Sequence, residues 1–82
     1  MQTDKIKQLI ESSLTNASVF VEGDGAHFTA TVVSAAFADK SRIAKQQMVY
    51  DAVRTEILDG TLHALSIKTY TPEEWEQLNR NS

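Results

Sequence analysis

Residues 63–75 read His63-Ala64-Leu65-Ser66-Ile67-Lys68-Thr69-Tyr70-Thr71-Pro72-Glu73-Glu74-Trp75. Leu65, Ile67 and Thr69 alternate with Ala64, Ser66 and Lys68, which is the period of a strand, and the pattern places that strand over residues 62–70 with His63 on the Leu65 face. Thr71 then offers a hydroxyl to a helix N-terminus, Pro72 suits the first helical position, and Glu74 stands three residues beyond Thr71, completing a capping box. Glu73, Glu74 and Glu76 favour the positive end of that helix, and Trp75 is placed to pin it to the sheet.

Working upstream, Ser41 is the expected N-cap of a long helix in which Ile43, Gln47, Val49, Tyr50, Val53 and Ile57 lie near one stripe, and Gly60 supplies the left-handed residue after its end. Before it, Val19 and Val21 alternate with Ser18, Phe20 and Glu22. Phe28, Ala30 and Val32 alternate with Thr29, Thr31 and Val33, and Gly23-Asp24-Gly25 lies between the two runs, so they read as a hairpin. A first amphipathic helix starts at Thr3-Asp4, carries Ile6, Leu9, Ile10 and Leu14, and fades at Thr15-Asn16. The order is αββαβα, an α+β fold with a three-stranded mixed sheet. A strand, helix, strand sequence in one sheet makes a parallel pair by a right-handed crossover, so residues 28–33 and 63–70 should run in the same direction.

Length and composition bound the function. With 82 residues, residues 1–82 form one expected domain, too short for a two-half dinucleotide fold or a β/α barrel, and with a stability of roughly 4 to 12 kcal/mol. Hydrophobic residues at 41% and charged residues at 23% describe a chain that folds. No apolar run approaches the ~20 residues of a membrane span, and the N-terminus lacks the regions of a secretory signal, so a soluble, cytoplasmic protein is expected. The 11 acidic and 8 basic side chains give a net charge of -3, which counts against non-specific nucleic-acid affinity. There is no cysteine, so any soft metal site must take its thiolates from another molecule.

The two histidines fall together once the strands are parallel. His27 immediately precedes one strand and His63 opens the other, so if these strands are neighbours, at a spacing of about 4.8 Å, both imidazoles come to one rim of the sheet. His27, in a glycine turn, is the adjustable member and His63 the anchored one. Each also has an ordinary reading, His27 as a solvated turn residue and His63 as a half-buried packing residue. Two imidazoles leave a tetrahedral ion two ligands short, so a metal site here needs a partner to complete it.

Other patterns are weaker. Gly23-Asp24-Gly25-Ala26-His27 lacks a third glycine and leads into a strand, so it is a hairpin turn and not a phosphate loop. No nucleophile elbow or shielded cleft is evident, and no catalytic residue is assigned. Lys40, Arg42 and Lys45, with Lys68 adding, form a candidate nucleic-acid patch at a helix start, or else a solvated cationic face. Phe37 and Tyr50 are the only aromatics near it, and both suit the core.

Taken together, the segment from Gly23 to Phe28 before a Val-rich strand, Lys40-Ser41-Arg42 with Val49-Tyr50, and residues 63–75 resemble the BolA family, most closely its IbaG-like (YrbA-like) branch. The resemblance runs from the first helix to Trp75. It implies a fold related to the type II KH domain. It also implies a monothiol glutaredoxin partner, with a [2Fe-2S] cluster held by a glutaredoxin cysteine, the thiol of glutathione and histidine from this chain, none being expected in the isolated chain. His63 matches the family's C-terminal ligand position and His27 the hairpin position where other members carry His or Cys. The expected role is a non-enzymatic adaptor in iron–sulfur assembly, trafficking or sensing, monomeric or weakly homodimeric alone. The alternative is a small nucleic-acid-binding regulator of stress response or cell morphology. Gln46-Gln47 stands where many members have Arg-His, and Ala38 or Asp39 where the loop often has glycine, and both departures disfavour a DNA-binding role.

Overall fold

The amphipathic stripe of the first helix and the alternation of the strands meet in one core. The structure, a computed structural model, describes residues 2–14, 16–24 and 27–80, so Thr15 and the Gly25-Ala26 tip of the hairpin lie outside the described residues. Helix α1 (Thr3–Ser13) buries Ile6 and Ile10. Strands β1 (Ser18–Gly23), β2 (His27–Val33) and β3 (Ala64–Tyr70) form a sheet in the order β1-β2-β3. The β1–β2 pair is antiparallel and the β2–β3 pair parallel, as the crossover requires. Between them run a short 3₁₀ turn (Ala35–Phe37), helices α2 (Arg42–Ala52) and α3 (Arg54–Leu58), and after β3 comes α4 (Pro72–Arg80). The α+β sheet-and-helix fold expected from the sequence is thus present.

One face of the sheet, carrying Val19, Phe28, Ala30 and Val32, packs with Ile6, Ile10, Phe37, Val49, Val53 and Leu62. The opposite face carries Phe20, whose ring stacks on Trp75 with centroids 5.6 Å apart. Tyr70 also meets Trp75 at 5.5 Å, so the tryptophan does fasten α4 to the sheet. The capping box forms in full: the Glu74 N–H donates to Thr71 Oγ1 at 3.2 Å, and the Thr71 N–H donates to Glu74 Oε1 at 2.8 Å. Gly60 has φ of +81°, the left-handed residue expected after the helix.

The first helix starts at Thr3, as expected, with Gln2 at its N-cap and no side-chain cap bond. Two expectations for the second helix change. The expected long helix breaks at Val53, where φ is -120° and ψ 18°, and its N–H donates to the Tyr50 carbonyl in a tight 3.1 Å turn before Ile57 N–H returns to Val53. The side chain of Val53 is fully buried at that break. The stripe also splits. Val49 and Val53 face the core, whereas Ile43 is 77% exposed. One turn before Val49 the inward stripe is occupied by Lys45, whose side chain is only 17% exposed and whose ammonium reaches Glu74 at 3.7 Å. A long aliphatic stem ending in a charge can fill such a position, and a lysine there gives no apolar signal to read.

Candidate functional site

The hairpin fixes one histidine. The Asp24 carboxylate accepts the His27 N–H at 2.9 Å, and the Asp24 N–H donates to the His27 carbonyl at 3.2 Å, tying the two residues together. Gly23 is paired with Phe28, and a Cβ there would run into the Phe28 ring and lie 2.8 Å from the His27 carbonyl oxygen. The missing side chain at Gly23 is therefore what lets the Phe28 ring cross the hairpin and close the core beneath His27. His27 itself lies on the opposite face, exposed, on the wall of a shallow depression of about 330 Å³ shared with Glu22, Asp24, Thr29, Ala64 and Ser66.

The second histidine is held by the connection from α3. Leu62 is buried, and its N–H donates to the Glu56 carbonyl at 2.9 Å. The Asp59 carboxylate accepts the Thr61 N–H at 2.8 Å, and hydrogen bonding to Thr61 holds the Asp59 carboxyl below its ordinary 3.8. His63 follows, with its Cε1 4.0 Å from where a Cβ on Gly60 would stand. Gly60 is needed for its positive φ, and the space beside it leaves the imidazole unobstructed.

The expected roles of the two histidines are exchanged. His27 is the first residue of β2, tied at both N–H and carbonyl, while His63 precedes β3 and belongs to the loop. The reason is the pairing with β3: the antiparallel ladder ends at Gly23↔Phe28, and His27 joins β2 through the parallel ladder, which begins at His27↔Ala64 and leaves His63 one residue outside it. Both still reach one rim, because His27 is directly in register with the residue after His63. They do not line one cavity: the depression at His27 does not include His63. Both are exposed, and neither imidazole has a hydrogen bond or ion pair among the described residues. No group of three His, Cys, Asp or Glu side chains among the described residues converges on a metal position. The donor set at this rim is two nitrogens open to solvent, which fits a site shared with another molecule and not one closed by this chain.

The cationic patch is thinner than its sequence. Lys45 is committed to Glu74, leaving Lys40 and Arg42 exposed at the start of α2. The Ser41 hydroxyl accepts the Ala44 N–H at 3.1 Å, so the cap expected there forms. Phe37 is buried, leaving Tyr50 and Tyr70 as the aromatics nearest the patch. Glu74, which neutralises Lys45, carried a signal only as a helix cap; its second contact depends on α4 folding back towards α2.

Known proteins share this fold. The family described as BolA-like protein matches residues 4–74. The acid stress protein IbaG of Escherichia coli strain K12 is 41% identical over 75 residues, covering 92% of this chain and 89% of that one. The DNA-binding transcriptional regulator BolA of Vibrio cholerae is 36% identical over 81 residues, 99% of this chain and 73% of that one. Among solved structures, a bolA protein homologue from Coxiella burnetii superposes with a TM-score of 0.82 at 40% identity, over 93% of this chain and 97% of that one. The chain belongs to the BolA family. Within it, the chain is IbaG-like.

Proposed function

We propose that this protein is a non-enzymatic adaptor that supplies His27 and His63 to a [2Fe-2S] cluster shared with a monothiol glutaredoxin and its bound glutathione, in cluster assembly, trafficking or sensing. The observation that carries the reading is the register of the parallel pair, His27 opposite Ala64, which sets two solvent-open imidazoles at one rim of a chain with no cysteine. The thiolates come from the partner. Imidazole in place of thiolate lowers the negative charge around such a cluster and raises its potential. An imidazole binds iron only after losing its proton, so cluster binding weakens as the pH falls towards about 6.

The test is co-expression with a monothiol glutaredoxin, followed by visible absorption and circular dichroism of the purified pair. The pair is expected to be coloured, with a spectrum that differs from that of the glutaredoxin alone and is lost in the His27→Ala, His63→Ala double variant. A colourless complex, or a spectrum indifferent to both substitutions, would falsify the reading.

A second reading, nucleic-acid binding through Lys40, Arg42 and Lys45, is supported by the name of the Vibrio cholerae relative and by the exposed Arg42. In that case neutral substitution of Lys40 and Arg42 weakens DNA binding and lowers its salt slope, with Lys45 contributing little while it is paired with Glu74.

A further inference from the structure

We infer that the free edge of β3 is a docking strand for an extended, carboxylate-bearing segment of another protein. β3 lies at the end of the sheet, with β2 as its only strand neighbour among the described residues. The Tyr70 carbonyl accepts the Ser34 N–H at 3.0 Å, so Tyr70 directs its backbone groups towards β2. Those groups alternate along a strand, which turns the N–H and carbonyl of Leu65, Ile67 and Thr69 outwards. The Tyr50 hydroxyl covers the Leu65 carbonyl at 3.4 Å. Nothing among the described residues takes the outward groups of Ile67 and Thr69. These two residues form the wall of a groove of about 340 Å³ whose other side is Arg42 and Gln46 of α2.

The charge of the groove selects the occupant. Arg42 and Lys68 line it, no carboxylate does, and neither cation makes an ion pair among the described residues. Arg42 stands on the α2 side of the edge. Lys68 is in register with Thr31 and projects from the other face. An added strand presents its side chains to the two faces alternately, so two consecutive acidic residues meet one cation each while the backbone between them pairs with Ile67 and Thr69. A second copy in the same edge-to-edge arrangement would bring Arg42 and Lys68 against their own duplicates. A nucleic acid has no backbone that matches the alternating donor and acceptor of a strand edge. This groove is separate from the histidine rim and does not rest on the cluster reading.

The experiment is fluorescence anisotropy of the full chain with a labelled Val-Thr-Glu-Asp-Val-Thr-Val peptide, beside three probes: the same peptide with lysine for both acids, the same peptide N-methylated at alternate amides, and a short oligouridylate. The acidic peptide is expected to bind, and the lysine and N-methylated peptides to bind at least about tenfold more weakly. Thr69→Pro removes an outward N–H and no bond to β2, and it should reduce affinity similarly, as should Arg42→Gln with Lys68→Gln. Amide exchange at Ile67 and Thr69 should slow on binding. The proposal is overturned if the acidic peptide does not bind, if N-methylation leaves affinity unchanged, if oligouridylate displaces the peptide and binds the groove more tightly, or if sedimentation finds a dimer that Thr69→Pro dissociates.

Discussion

At His27 a single side chain is exposed while its backbone is among the most constrained on the surface, held by the Asp24 carboxylate and by the ladder. His63 is placed by its neighbour Leu62, which is buried and bonded to the Glu56 carbonyl. Removing either imidazole breaks no hydrogen bond or ion pair among the described residues, so His27→Ala and His63→Ala should change stability by no more than about 0.5 kcal/mol, as exposed substitutions usually do, while abolishing the spectrum of the proposed shared cluster. Thermal melts of the isolated variants check the first half and spectra of the complexes the second. Gly23→Ala should behave in the opposite way. Its Cβ must displace the Phe28 ring, a core residue, so a loss of about 1–3 kcal/mol is expected in denaturant titrations. That His27 ends up in the strand was not readable from Gly23-Asp24-Gly25-Ala26, because it is the pairing with Ala64, far along the chain, that extends β2 to His27.

Elements differ in how much of their behaviour is local. The last helix is the most local: its start is written in Thr71-Pro72-Glu73-Glu74, and both bonds of its box form. Thr71→Ala should cost about 1 kcal/mol by urea unfolding. The Glu74 carboxyl is held below its ordinary 4.5, first by the Thr71 N–H and further by the Thr71 hydroxyl and Lys45. A carboxylate lowered in the folded state stabilises fully above its unfolded value, and that contribution is lost as the pH falls through the folded one. Glu74→Gln keeps an oxygen for the cap but no longer titrates. Urea midpoints measured near neutrality and below 4.5 should therefore fall less steeply with acid in the variant than in the parent. The α2–α3 region is the least local. Of the expected stripe, Val49 and Val53 face the core, with Lys45 leading into them, while Ile43, Tyr50 and Ile57 are exposed. Periodicity fixes that a helix is present; which side faces inward is decided by the sheet it meets.

Over the whole molecule, stability rests on a core of few side chains. A chain of 82 residues has roughly 4 to 12 kcal/mol to lose. Phe37, fully buried between the sheet and the helices, is expected to cost about 3–5 kcal/mol when replaced by Ala. Phe37→Ala should accordingly be mostly unfolded or steeply lowered in melting temperature, as circular dichroism would show. The parallel direction of the second and third strands was legible from the sequence because a strand, helix, strand crossover leaves little choice. That the two are neighbours, on which the rim of the two histidines depends, is shown only by the sheet order. The cationic groove did not, because it depends on which edge of the sheet is left bare and on how α2 is rotated against it.

β3 runs between the two surfaces, with His63 just before its first residue and its bare, cationic stretch at residues 67–70. At about 3.3 Å per residue, six residues set the two some 20 Å apart. The strand is thus a rigid spacer of fixed length and polarity. A partner smaller than that distance engages one end and leaves the other vacant for a second molecule, whereas a partner that touches both is committed to one orientation along the strand.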